Sequence, residues 1–205
     1  MKAFINGTDI HTKVAADIYG VPEEEVTKKM RRNAKAVIFG IVYGISGFGL
    51  GENLELSVNE ARELINKYYE LYPKVKKYMD EIVEEAYEDG CVRTLYNRKR
   101  VIDELSNKNY MIRQMGERIA LNTPIQGTAA DIIKMAMIKI DKEFEENNLK
   151  SKMLLQVHDE LVFDVVLEEK DKVNEIVTNC MENVVKLSVP LKVSHDFGTD
   201  WYEAK

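Results

Sequence analysis

Arg31, Lys35, Phe39 and Tyr43 recur every four residues within the run 31–44. On an α-helix each such step drifts by roughly 40°, so the four side chains form one slanted stripe. The stripe is cationic at one end and aromatic at the other. The opposite face, Ala34, Val37, Ile38 and Ile41, is apolar and should pack on the protein. A cationic end suits phosphates, and an aromatic end suits a stacked base. Gly40 and Gly44 lie beside the rings, where a missing Cβ allows close approach. An ordinary amphipathic helix with a basic start and aromatic core residues satisfies the same pattern.

The rest of the chain reads as helices first and a small amount of strand last. A helix capped by Thr8 or Asp9 carries Val14, Ala15 and Ile18 inward and ends at Gly20. A second is expected from Pro22 to about Lys29, with Glu23, Glu24 and Glu25 in its first turn. Residues 45–51 are glycine-dense and read as a linker between helices. No strand precedes them, so they do not form a dinucleotide-binding loop. Ser57 and Glu60 make a capping-box pattern, and Pro73 opens a helix that Gly90 closes. Residues 91–102 carry β-formers around Tyr96-Asn97-Arg98 and predict a small hairpin. Residues 107–113 look like a loop. A long helix follows, in two parts, 114–122 and 126–147, with Thr123-Pro124 as an expected interruption or kink. Strand-like runs at 152–157 and 161–167, a helix at 168–187 and a short strand at 190–195 complete the pattern. Trp201 and Tyr202 are expected to anchor the C-terminus. The fold class is α+β.

Charge is distributed rather than massed. The net charge of −6 argues against a protein that coats nucleic acid generically. Yet Lys28, Lys29, Arg31, Arg32 and Lys35 form one basic cluster. Arg93, Arg98, Lys99, Arg100, Lys108, Arg113 and Arg118 form a second, with acid-rich stretches elsewhere. Such a chain can direct a polyanion to one side; a solvated charged surface is the plainer account of any single lysine. The apolar runs are too short to span a bilayer, and Met1-Lys2 leads into a polar segment rather than a signal sequence. Cys91 and Cys180 have no metal-like spacing and read as free thiols in a reducing cytoplasm, so the expected location is cytoplasmic, with no membrane partner.

The second chemical element is His158-Asp159-Glu160, between two apolar strand-like runs. Two adjacent carboxylates on a tight turn offer hard oxygen ligands, and Mg²⁺ takes one or two carboxylates plus water and phosphate oxygens. An acidic, solvent-exposed turn has the same appearance. What sets this chain apart is the pairing of one element shaped for a triphosphate and base with another shaped for the metal such a triphosphate binds.

Three motifs then carry a resemblance. Arg31-x-x-x-Lys35-x-x-x-Phe39-Gly40-x-x-Tyr43-Gly44 resembles the nucleotide-binding fingers helix of family A DNA polymerases, the bacterial DNA polymerase I group. The run 155–165, Leu-Gln-Val-His-Asp-Glu-Leu-Val-Phe-Asp-Val, resembles their second metal-binding motif, in the palm. Arg118-x-x-x-Asn122-x-Pro124-x-Gln126-Gly127 resembles the palm helix that contacts primer and template, and Asp9-Ile-His11 fits the segment before the fingers helix. Order and separation agree over nearly the whole chain. The resemblance implies helical fingers over 1–117 and a partial palm over 118–205, with a small antiparallel sheet. It implies that Arg31, Lys35 and His11 hold the phosphates of an incoming dNTP. Phe39 would border the sugar and discriminate against dideoxynucleotides, and Tyr43 would stack near the nascent base pair. Arg118, Asn122 and Gln126 would contact the duplex, and His158 would lie near the primer terminus. Asp159 would bind catalytic Mg²⁺, with Glu160 as accessory carboxylate and Lys35 assisting catalysis.

The chain also departs from the family. The first palm motif, Asp-Tyr-Ser-Gln-Ile-Glu-Leu-Arg, which carries the carboxylate bridging both metals, is absent from the sequence. The expectation is therefore DNA-templated DNA synthesis by a two-metal mechanism, present as the C-terminal portion of a polymerase and inactive alone. Its partners would be primer-template DNA, dNTPs and an N-terminal portion carrying the thumb and the missing motif. An exposed edge or apolar sheet face is expected on the partial palm. A non-catalytic DNA-binding or assembly subunit is the competing reading.

Overall fold

A computed structural model describes residue 5 and residues 7–204. The chain divides into two compact units, Lys2–Thr128 and Ala129–Lys205.

The first unit is helical. Asp9 caps α1 (Ile10–Tyr19) by accepting from the His11 N–H, and Gly20, at φ +68°, closes it. The helix expected from Pro22 is only a 3₁₀ turn, Glu23–Glu25. Thr27 ends it by capping α2 (Lys28–Val42), where its side chain accepts from the Met30 N–H at 3.2 Å. The glycine-dense segment is not a linker: Gly47–Leu54 forms α3. Ser46 caps it, and Leu50 and Leu54 are buried, so packing overrides the low helix propensity of glycine. Gly51 is required there, because a Cβ would fall 2.8 Å from the Leu56 carbonyl oxygen. The expected capping box is present at the start of α4 (Val58–Leu71), and Pro73 opens α5 (Pro73–Asp89).

α1 to α5 share one core. Val14, Ala15 and Ile18 pack with Ala34, Val37, Ile41, Leu50, Leu54, Ala61, Tyr68 and Met79. Ile38, expected on the apolar face, is half-buried at its edge. The hairpin expected at 91–102 is present as β1 (Cys91–Arg93) and β2 (Lys99–Val101), antiparallel, with Asn97 at φ +64° in the connection. Ile82, Ala86, Val92, Ile102, Leu105 and Ala120 form a second core beneath it.

α6 (Tyr110–Glu146) is continuous. Helix therefore begins inside the segment read as a loop, and Pro124 does not break it. Proline removes one backbone donor and costs about 3 kcal/mol in a helix interior. The helix runs through Pro124 because both flanks are packed, Ala120 in the second core and Ile140 in the core of the second unit. Thr123 Oγ1 also donates to the Ile119 carbonyl at 2.7 Å, and Thr128 Oγ1 to the Pro124 carbonyl. Residues of α6 up to Thr128 belong to the first unit and the remainder to the second.

In the second unit β3 (Lys152–Val157) and β4 (Glu160–Asp164) pair antiparallel, with a bulge between Met153 and Leu155. Met153, Leu161 and Phe163 pack against Ile140 and Phe144 of α6 and Val173, Ile176 and Cys180 of α7 (Lys170–Asn183). Leu154 and Leu155 are 58% and 43% exposed, which gives the expected open apolar surface on a two-stranded sheet. α7 is shorter than the helix expected over 168–187, and a 3₁₀ turn, Leu167–Glu169, precedes it. Among the described residues there is no strand at 190–195. Pro190 offers no N–H, and the Val193 N–H goes to Glu182 Oε1 at 3.2 Å rather than to a neighbouring strand. Of the two aromatic residues expected to anchor the C-terminus, Tyr202 is 90% exposed and does not. Both cysteines are buried and free.

Glu169 ties the ends of this sheet together. Its carboxylate accepts from the Lys150 and Ser151 N–H groups and from Ser151 Oγ at 2.6 Å, while Ser151 Oγ accepts from the Val166 N–H. The Ser151 hydroxyl, then the Lys150 N–H, hold the Glu169 carboxyl below the usual glutamate range. A carboxylate whose folded pKa is depressed stabilises the fold above its unfolded pKa and loses that contribution as pH falls through the folded value. Glu169→Gln should therefore lower the thermal midpoint at neutral pH, with the gap to wild type closing as pH drops below the carboxylate range. A gap that stays constant with pH would contradict this role.

Candidate active site

Burial of one face of α2 decides where its stripe points. Ala34, Val37 and Ile41 are at most 4% exposed, whereas Phe39 and Tyr43 are 46% and 47% exposed. Arg31 and Lys35 are exposed on the same side. Both glycines serve the chain's own packing. A Cβ on Gly40 would fall 2.4 Å from Ile45 Cγ2, and Gly44, at φ +63°, lies under the Arg118 side chain. The close approach expected beside the rings is made by Ile45 and Arg118.

The structure brings His11 to this stripe from α1. Its ring lies parallel to Phe39, at 8° and 6.0 Å between centroids, and Lys35 Nζ sits 5.7 Å from the centre of the Phe39 ring. Phe39 thus has a histidine and a lysine on its borders. Arg31 Nε donates to Asp9 Oδ2 at 2.6 Å, and Asp9 Oδ1 accepts from the His11 N–H at 3.0 Å. Arg31, with help from Thr12 and the His11 N–H, holds the Asp9 carboxyl far below the usual carboxylate range despite partial desolvation. The sequence marks Asp9 as a helix cap and as part of the Asp9-Ile-His11 segment, with no role toward Arg31. Its link to Arg31 spans 22 positions, and no local pattern signals it.

Arg118, Asn122 and Gln126 follow one another at four-residue spacing on α6. Arg118 and Gln126 are exposed. With Gly44, Ser46, Gln114, Glu117 and Leu121, Arg118 lines a groove of about 210 Å³. Asn122 Nδ2 folds back onto the Arg118 carbonyl at 2.8 Å, and its Oδ1 is buried without a hydrogen-bond partner. Part of the second basic cluster has structural duties. Arg98 Nη2 donates to the Gly127 carbonyl, Arg100 Nη1 to Thr123 Oγ1, and Arg113 Nη1 to the carbonyls of Asn107 and Lys108. These bonds dock the β1–β2 hairpin on α6 and fix the start of that helix.

In the second unit Val157 pairs with Glu160, so His158 and Asp159 are the two residues of a tight hairpin turn. His158 adopts φ +56°, a left-handed conformation that few residue types accept. Its carbonyl accepts from Gln156 Nε2 at 2.8 Å. Asp159 is exposed. Glu160 is half-buried, and its Oε1 accepts from Trp201 Nε1 at 2.7 Å. Carboxylate oxygens are the right donors for Mg²⁺. Among the described residues, however, no group of three or more acidic, histidine or cysteine side chains gathers here or elsewhere. Asp159 and Glu160 bring two carboxylates to one turn, donors of the right chemistry but fewer than the full oxygen set of a Mg²⁺ ion. No helix among the described residues is long and apolar enough to cross a membrane.

A sequence profile of DNA polymerase family A matches residues 1–203. DNA polymerase I of Caldicellulosiruptor bescii is 54% identical over the full chain, and that of Bacillus caldotenax is 51% identical. The chain spans 24% and 23% of their respective lengths. A solved structure described as the POL domain of Pol1 from M. smegmatis in complex with DNA primer-template and dNTP superposes with a TM-score of 0.94 at 41% identity. The match covers 99% of this chain and 36% of that one. From the cationic–aromatic helix through the carboxylate hairpin, the chain belongs to DNA polymerase family A.

Proposed function

We propose that this chain supplies the nucleotide-holding and metal-presenting parts of DNA-templated DNA synthesis, the transfer of a nucleotide from a dNTP to a primer 3′-hydroxyl. The observation that carries the reading is the exposed row Arg31–Lys35–Phe39 with His11 parallel to Phe39. Arg31, Lys35 and His11 hold the triphosphate; the two cations offset charge that builds on the leaving group. Phe39 borders the sugar and Tyr43 stacks near the new base pair. Arg118, Asn122 and Gln126 contact the duplex, and His158 lies near the primer terminus. The fingers comprise 1–117 and the palm portion 118–205. Bound at Asp159 and Glu160, Mg²⁺ ions would activate the 3′-hydroxyl and neutralise the triphosphate. Support for a DNA and dNTP partnership comes from the complex named for the M. smegmatis relative. Two carboxylates leave the metal site incomplete within residues 1–205, and a polymerase part carrying the Asp-Tyr-Ser motif would supply the rest.

The isolated chain with Mg²⁺, dNTPs and primed template should give no primer extension. Adding a polypeptide with the thumb and the Asp-Tyr-Ser motif should restore it, and Asp159→Ala should abolish the restored synthesis while duplex binding persists. Extension by the chain alone would contradict the incomplete site. Unchanged synthesis by Asp159→Ala would favour a DNA-binding or assembly subunit instead.

Asp9 occupies the guanidinium that a triphosphate would use. Asn caps a helix as well as Asp does. Asp9→Asn should therefore leave the fold intact and tighten dATP binding several-fold, roughly 1 kcal/mol by the ion-pair range for exposed groups. Isothermal titration would show it, and weaker binding by Asp9→Asn would mean that Asp9 orients Arg31 rather than competing for it.

A further inference from the structure

After α7 the chain forms no strand among the described residues, yet it is fixed at successive points. Glu182, near the end of α7, accepts from the Val193 N–H at 3.2 Å and pairs with Lys192 Nζ at 3.3 Å. Lys170, at the start of α7, places its Nζ 4.3 Å from the centre of the Phe197 ring, and that ring meets His195 edge to face. The segment therefore runs back along α7.

From Gly198 onward the chain closes a compact turn. Glu203 accepts from the Thr199 N–H at 3.0 Å and from Thr199 Oγ1 at 2.6 Å, and Asp200 Oδ1 accepts from the N–H groups of Tyr202 and Glu203. A Cβ on Gly198 would fall 2.6 Å from the Ala204 nitrogen, so the turn closes only over glycine. The turn presents Trp201, whose indole Nε1–H donates to Glu160 Oε1 at 2.7 Å.

We propose that Trp201 is a positioning residue for the Glu160 carboxylate, delivered to the carboxylate hairpin by the strap 190–204. The inference rests on the reading of Asp159 and Glu160 as Mg²⁺ ligands. An indole N–H only donates, so it fixes one carboxylate oxygen in place and leaves the charge and Oε2 for a cation. A glutamate on a hairpin otherwise samples many rotamers, and partners of this kind typically change metal affinity by about 10–100-fold when removed.

The test uses the full chain and Mn²⁺ as probe, with free Mn²⁺ read by electron paramagnetic resonance. Trp201→Phe should weaken Mn²⁺ binding about tenfold, and should have no effect in a Glu160→Ala background. Equal loss in both backgrounds marks a general structural role and overturns the proposal. So does unchanged affinity in Trp201→Phe when Asp159→Ala weakens binding, and that result leaves the metal reading standing. No effect of Asp159→Ala defeats the metal reading itself, and this proposal with it. A second measurement keeps Trp201 intact. The sequence holds a single tryptophan, so indole fluorescence reports on this position. Glu160→Ala should shift the emission, while Glu160→Gln, which retains an acceptor oxygen, should not. Identical emission from wild type and Glu160→Ala would overturn the proposal.

Discussion

The site depends on the burial of one face of α2. Ala34, Val37 and Ile41 pack against Val14, Ala15 and Ile18 of α1 and Leu50 and Leu54 of α3. Fully burying a Val or Ile side chain is worth about 1.5–3 kcal/mol, so rolling the helix to hide Phe39 and Tyr43 would forfeit several such contacts. The same packing that stabilises the first unit therefore holds two aromatic rings and two cations toward solvent. It also brings α1 close enough for His11 to lie against Phe39 and for Asp9 to reach Arg31. Fold and candidate function share one cause here.

The second unit solves a different problem, the presentation of carboxylates at a two-residue turn. Met153, Leu161 and Phe163 anchor the hairpin from one face, and Glu169 ties its open end through Lys150 and Ser151. The far end then holds His158 in a left-handed conformation. Such a conformation persists when the surrounding structure over-determines it. Leu154 and Leu155 leave this sheet with exposed apolar surface.

Much of this was legible in the sequence because the signals are local. Four-residue spacing located α2, Ser57 with Glu60 located the start of α4, and Gly90 located the end of α5. Asp159 and Glu160 fell at and beside the turn that the alternating runs require. The misreadings involve interactions that distance in sequence conceals. Glycine composition argued for a linker at 45–51, but burial of Leu50 and Leu54 made it helix. Pro124 argued for an interruption or kink, but the helix is uninterrupted, with Ala120 and Ile140 on either side buried in cores built from distant residues. The run 190–195 has strand-like residues, yet its N–H at Val193 finds the Glu182 carboxylate instead. Asp9 and Trp201 reach their partners across 22 and 41 positions, beyond any periodic pattern.

The central claim is that the exposed stripe of α2 receives a nucleoside triphosphate. A crystal structure of the chain grown with dATP and Mg²⁺ tests it most directly. The account predicts phosphate oxygens on Arg31 and Lys35, with Asp9 displaced from Arg31 and the sugar against Phe39. Density for the triphosphate elsewhere, with the Asp9–Arg31 pair intact, would contradict it.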